Sequence, residues 1–93
     1  MDSPIRARIL VSGRVQGVAF RAFTRDAASR MKLCGGVRNV DDGRVEVDVE
    51  GERGAVETFV ELLRTGPPMA RVDDLELRWE RPTGQHEVFR IWY

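Results

Sequence analysis

The chain has 93 residues, enough for one core and too few for a second, so any chemistry must be done with little equipment. Its fifteen basic and fifteen acidic residues cancel, which argues against the broad positive footprint of a nucleic-acid binder or of a protein held on an anionic membrane. One cysteine cannot form an intramolecular disulfide, and no apolar run has signal-peptide or membrane-span character, so a cytoplasmic address is the default. No repeat, low-complexity tract or linker divides the sequence, and residues 1–93 read as a single domain.

In chain order, Ile5, Ala7, Ile9 and Val11 alternate with Arg6, Arg8, Leu10 and Ser12, the period of a strand with one apolar face. A glycine turn is expected to end it. Phe20, Phe23, Ala27 and Met31 then recur at helical spacing, predicting about three turns that stop before Gly35-Gly36. Val37 to Val40 reads as a short strand and Asp41-Asp42-Gly43 as a turn. Val45, Val47 and Val49 alternate with Glu46, Asp48 and Glu50, completing a hairpin that Gly51 is expected to close. Val56, Phe59, Val60 and Leu63 mark a second helix ending near Gly66-Pro67-Pro68. Val72, Leu75, Leu77 and Trp79 give a strand with a register shift near Asp73-Asp74, and Val88 to Tyr93 gives a short terminal one. The order is β-α-β-β-α-β plus one strand. Two-faced strands with only two helices to cover them suggest an α+β fold, a ferredoxin-like split βαβ sandwich: an antiparallel sheet with both helices on one face.

The junction Ser12-Gly13-Arg14-Val15-Gln16-Gly17-Val18-Ala19-Phe20-Arg21 carries the most chemical information, because two glycines bracket a turn that feeds directly into a helix. Glycine permits the positive φ that turns consecutive amides toward one point, and the helix adds unpaired N–H groups and its positive dipole end. Arg21 falls in the first helical turn, where that dipole disfavours a cation by about 0.3–1 kcal/mol unless an anion lies nearby. Arg14, Arg21, Arg25 and Arg30 face only Asp26 in this stretch, whereas Asp41 to Glu61 is predominantly acidic, so positive potential gathers beside the loop. The spacing is neither a Walker A nor a dinucleotide loop. Taken alone it fits a tight strand-to-helix connection as well as an anion site. Arg21, whose planar fork matches phosphate oxygens, tips the balance toward the anion.

Other candidates narrow by residue type. One cysteine and one histidine, far apart, do not make a metal cluster, and the two Asp-Asp pairs read more simply as turn residues. Cys34 has Val40 rather than an arginine six positions on, so the cysteine-phosphatase loop is missing and a small buried thiol remains. His86 has no Ser or Cys near it in sequence. Asn39 ends the second strand, where an Asx turn is the ordinary explanation. In a split βαβ unit, however, the first two strands run parallel, which brings Asn39 to the same sheet edge as the glycine loop. Its amide offers the donor and acceptor needed to position a water.

These residues carry a resemblance to the acylphosphatase family, through Gly13-Arg14-Val15-Gln16-Gly17-Val18-Ala19-Phe20-Arg21 and through Gly35-Gly36-Val37-Arg38-Asn39-Val40-Asp41-Asp42-Gly43-Arg44-Val45-Glu46-Val47. The resemblance implies hydrolysis of carboxyl phosphates to carboxylate and inorganic phosphate, with no metal or other cofactor. It further implies that the amides of Val15, Gln16, Gly17, Val18, Ala19 and Phe20, with Arg21, bind phosphate and that Asn39 orients the attacking water. Two positions depart from the family's pattern: Gly36 stands where members commonly carry tryptophan, and Val40 where some carry threonine. Loss of the tryptophan is expected to loosen packing beneath the second strand.

The implied partners are an acyl phosphate and inorganic phosphate, with no nucleic acid or membrane, and the short mixed surface gives no reason to require more than a monomer. Two alternatives stand beside the hydrolase. One is a phosphate-binding module of a carbamoyl-phosphate-using hydrogenase maturation protein, disfavoured by the lack of further domains and cysteine clusters. The other is RNA binding on a ferredoxin-like sheet, disfavoured because Ile5 to Ser12 and Arg44 to Glu50 contain no aromatic residue for stacking.

Overall fold

Branched apolar residues at every second position build the sheet, and two amphipathic helices cover its apolar side. The structure, a computed structural model, describes residues 3–93; Met1 and Asp2, within the domain range read from sequence, lie outside the described residues. Its elements are β1 (Pro4–Arg14), α1 (Phe20–Arg30), β2 (Cys34–Asn39), β3 (Val45–Glu52), α2 (Arg53–Thr65), β4 (Arg71–Glu80) and β5 (Phe89–Ile91). The strands form one sheet in the order β4-β1-β3-β2-β5. β3 pairs antiparallel with both β1 and β2, so these two run the same way on either side of it, the split βαβ arrangement. β4 also joins β1 antiparallel, and β5 adds to β2 in parallel.

One face is the core. Ala7, Ile9 and Val11 of β1 and Val45, Val47 and Val49 of β3 are buried there, against Phe20, Ala27 and Ala28 of α1 and Val56, Phe59, Val60 and Leu63 of α2. The intervening residues form a lattice of charges on the other face. Arg6 sits between Asp48 at 2.6 Å and Glu80 at 3.3 Å, while Glu46 takes Arg38 at 2.7 Å and Arg8 at 3.7 Å. The α2 stripe falls at the expected positions, and the helix stops at Gly66, whose φ of 71° suits glycine and whose N–H returns to the Leu62 carbonyl.

Four glycines differ from expectation. Gly13 does not end β1. It lies within the strand at a bulge where Ser12 pairs with Asp74 and Gly13 with Val72, leaving Asp73 as the extra residue. A side chain on Gly13 would strike the Arg71 carbonyl, so the glycine answers to a close strand approach rather than to the loop. Gly35 and Gly36 lie inside β2, because the α1 connection has already turned at Met31-Lys32, and Gly51 lies inside β3 rather than after it. At Gly36 the Trp92 indole occupies the space a Cβ would need. Packing at Gly36 on the second strand is supplied by a tryptophan from the other end of the sequence.

Candidate active site

Residues 15–19 connect β1 to α1, and the loop is pinned by its valines. Val15 and Val18 are buried in the core, which fixes the backbone between them. Gly17 has φ of 74°, and Ala19, the residue that caps α1, is left-handed at φ 63°. For alanine that conformation costs about 1–3 kcal/mol and persists only where its surroundings impose it. Ala19 gives the helix no side-chain cap, and the first turn contains no acid. The N-terminal amides of α1 thus stay free of an internal anion, and Arg21 sits among them without a carboxylate partner among the described residues.

A cavity of about 170 Å³ opens here, lined by Val15, Gly17, Ala19, Phe20, Arg21, Ala22, Asn39, Ile91 and Tyr93. The residues singled out from sequence divide into two groups. Val15, Gly17, Ala19, Phe20, Arg21 and Asn39 meet at this cavity; Gln16 and Val18 do not line it. Val18 is an anchor, and Gln16 is a clamp. Its side-chain Nε2 donates to the Val40 carbonyl at 2.8 Å and the Arg44 carbonyl at 2.9 Å, tying the loop to the β2–β3 hairpin that carries Asn39.

Asn39 does not make the turn that its position suggests. Asp42 takes that duty, accepting from the Arg44 N–H at 3.1 Å and guanidinium Nε at 2.8 Å, and Arg44 holds its carboxyl below the usual carboxylate range. The Oδ1 of Asn39 is buried and has no hydrogen-bond partner among the described residues. A buried carbonyl oxygen left unpaired typically costs about 1–3 kcal/mol, so Asn39, on the wall of the cavity that Arg21 also lines, carries an unmet acceptor.

Three lining residues escaped sequence reasoning: Ala22, which follows Arg21 on α1, and Ile91 and Tyr93 at the end of the chain. The signal for the last two is the alternation of Phe89, Ile91 and Tyr93, which becomes informative only once β5 is known to lie parallel to β2. The register Gly35 to Phe89 and Val37 to Ile91, continued by two residues, brings Asn39 and Tyr93 to one end. The Arg21 guanidinium lies over the Tyr93 ring, 5.7 Å from its centroid. The remaining reactive side chains are elsewhere. Cys34 begins β2, at the opposite end from Asn39, and burial followed by the charge of Glu50 pushes its thiol up. His86 packs tilted against Trp92 with ring centroids 5.7 Å apart.

Fold and cavity together define an α+β domain with ferredoxin-like architecture and an arginine-lined cavity at the start of its first helix. The family profile for acylphosphatase matches residues 7–91. Among curated relatives, an acylphosphatase of Anaeromyxobacter dehalogenans is 53% identical over 91 residues, covering 98% of each chain, and one from Anaeromyxobacter sp. strain Fw109-5 is 57% identical over 86 residues. The crystal structure of acylphosphatase from Bacillus subtilis superposes with a TM-score of 0.93 at 44% identity, over 96% of this chain and 99% of that one. The chain belongs to the acylphosphatase family and has that family's function, hydrolysis of acyl phosphates. Full-length HypF, in a phosphate- and nucleotide-bound form, also superposes with a TM-score of 0.87 at 25% identity, but this chain spans 12% of it. The HypF-like alternative is the weaker reading, because the relatives matched nearly end to end are acylphosphatases.

Proposed function

We propose that the amides of Val15, Gln16, Gly17, Val18, Ala19 and Phe20, together with Arg21, hold the phosphoryl group of an acyl phosphate, and that Asn39 places the water that attacks it. The observation that carries this reading is the unpaired Oδ1 of Asn39 beside an arginine with no carboxylate partner, in one cavity with an uncapped helix start. Phosphate supplies the negative charge that Arg21 and the helix dipole lack, and one water satisfies the asparagine.

The reaction asks for little else. Its leaving group is a carboxylate whose conjugate acid has a pKa of about 4, so it departs without a general acid. Binding energy goes into alignment and into donors aimed at the phosphoryl oxygens as charge moves onto the leaving group. No lining side chain is a carboxylate, thiol or imidazole. Water attacks phosphorus directly as the bond to the acyl oxygen breaks, and its proton passes to a phosphoryl oxygen. The two products are phosphate and the carboxylate.

The chain is read as a monomer built as one domain over residues 1–93, and a single free cysteine suits the cytoplasm. Direct attack is tested with an acyl phosphorothioate made chiral at phosphorus by sulfur and two oxygen isotopes, hydrolysed in water of the third isotope. Inversion in the released thiophosphate is the expected result, and net retention would reveal a phosphoenzyme and refute the single-step reading.

A further inference from the structure

β4 and β5 lie at opposite edges of the sheet, so residues 81–88, which join them, must cross its whole width. Four strand spacings of about 4.8 Å make that distance about 19 Å, and eight residues at full extension reach about 26–29 Å, so the connection is drawn out. It contains no helix or strand. The crossing is made at the end of the sheet away from Asn39, since Glu80 pairs with Arg6 near the start of β1 and Phe89 with Gly35 near the start of β2. Midway it meets Glu50 of β3, the central strand. That carboxylate accepts from the Thr83 hydroxyl at 2.5 Å, the Thr83 N–H at 2.7 Å and the Gly84 N–H at 3.1 Å. We infer that Glu50 is a pH-sensitive mooring: as a carboxylate it holds residues 81–88 across the sheet and keeps β5 docked on β2 as a wall of the cavity, and as the neutral acid it lets that wall loosen.

Glu50 is set apart from the other acids of its strand. It stands opposite Arg6 on β1 and Cys34 on β2, on the charged face of the sheet. Asp48 and Glu46 on that face pair with Arg6 and Arg38, whereas Glu50 is buried and has no ion-pair partner among the described residues. A buried carboxylate is costly unless it is hydrogen-bonded, and every side-chain bond it accepts among the described residues comes from the connection. Protonation removes the charge that makes those bonds strong and turns one acceptor oxygen into a donor. The charged and titratable groups that face Glu50 are Arg6 from β1, the Cys34 thiol from β2 and His86 from the connection. The positive charges of Arg6 and His86 favour the carboxylate, while burial keeps the thiol neutral and its Sγ turns to the Glu50 backbone carbonyl at 3.5 Å. Because the carboxyl lies below its ordinary value in the fold, the mooring is complete above about pH 5 and is lost as pH falls through the lowered value.

β5 has few other holds. It is three residues long, paired along one edge. The Gly35 N–H donates to the Val88 carbonyl at 3.1 Å and the Trp92 N–H to the Val37 carbonyl at 2.7 Å, one on each side of the strand, and Phe89 packs edge-on to Phe59 with ring centroids 6.0 Å apart. Ile91, between these anchors, lines the cavity.

The experiment measures amide protection factors by NMR hydrogen exchange in the wild-type chain, Glu50→Gln and Thr83→Val, at about pH 6 and about pH 3, with benzoyl phosphate turnover over the same window. Thr83 is exposed, so Thr83→Val removes a donor to Glu50 without entering the core. Near pH 6 both variants are expected to lose roughly tenfold protection at Gly35, Phe89, Arg90, Ile91 and Trp92, and less than about twofold along the β1–β3 pair. Near pH 3 the wild-type chain approaches the variants, and Glu50→Gln responds little to pH. The ratio of wild-type to Glu50→Gln kcat/KM, at least about twofold near pH 6, closes toward one over the same window. Equal loss of protection across the whole sheet would overturn the inference, because Glu50 would then act on general stability alone. A pH response that persists in Glu50→Gln would overturn it as well. The step from β5 to catalysis rests on the cavity being the active site: looser β5 amides with unchanged kcat/KM would overturn that step, whereas failure of the site itself shows separately, as full activity in Arg21→Ala.

Discussion

Gln16→Ala removes a side chain that touches the reaction only through what it holds in place. The Gln16 amide bridges the loop to two carbonyls of the hairpin, Val40 at 2.8 Å and Arg44 at 2.9 Å. Two hydrogen bonds of ordinary worth amount to about 1–3 kcal/mol. Neither carbonyl is left bare, because Val40 still accepts from the Gly43 N–H at 3.0 Å and Arg44 from the Val40 N–H at 2.8 Å. The desolvation penalty is therefore small, and the loss is expected near the middle of that range, about 2 kcal/mol. For a domain of this size that lowers Tm by roughly 10 °C. The catalytic consequence is separate. Gln16 ties the loop bearing Arg21's helix to the strand bearing Asn39, and misplacing such groups by an ångström costs up to about a hundredfold. A fall in kcat/KM of at least about tenfold is expected at temperatures where the variant is fully folded. Urea unfolding gives the first quantity and benzoyl phosphate turnover the second. A loss below about 0.5 kcal/mol with full activity would refute the clamp.

Three further outcomes follow from the geometry. Arg21→Ala removes the one charged side chain that lines the cavity and is expected to lower kcat/KM by about 10²–10³ and to weaken inhibition by inorganic phosphate, measured by steady-state kinetics. Gly36→Ala drives a methyl into the Trp92 indole and is expected to cost about 1–3 kcal/mol in urea unfolding, a cost that largely disappears in a Trp92→Ala background because both changes act on one space. Glu50, 4% exposed, meets a burial penalty that pushes its carboxyl up. That penalty is outweighed by donors from the Thr83 hydroxyl, the Gly84 N–H and the Thr83 N–H, with help from His86, so the group lies below its ordinary value. A carboxylate held low in the folded state contributes its full stability at neutral pH and loses it as the proton returns. The stability gap between the wild-type chain and Glu50→Gln, about 2 kcal/mol at neutral pH, is expected to narrow between about pH 5 and pH 3 in urea titrations.

The helix stripes and the alternating valines of β3 were legible because burial of one face dictates period in any context. The Asp73 bulge was legible too, as a break in the β4 alternation. The glycines were harder to read. A sequence shows that glycine can bend a chain but not whether a neighbour demands its missing side chain, as the Arg71 carbonyl does at Gly13 and Trp92 does at Gly36. At the site, the meeting of Arg21 and Asn39 followed from the parallel course of β1 and β2. The wall of Ile91 and Tyr93 did not, because three residues of β5 carry too little pattern to specify a partner strand. Gln16 lay in the recognised loop, yet its side-chain work crosses to residues 24 and 28 positions away, a contact that only the fold creates.

Asn39 carries the central claim, since it separates hydrolysis from mere phosphate binding. In Asn39→Ala, turnover of saturating benzoyl phosphate and inhibition by inorganic phosphate are measured on the same folded protein. A fall in kcat of about a hundredfold or more, with phosphate inhibition within about threefold of wild type, is the result expected of a residue that positions water. Retained turnover with lost phosphate inhibition would contradict the account.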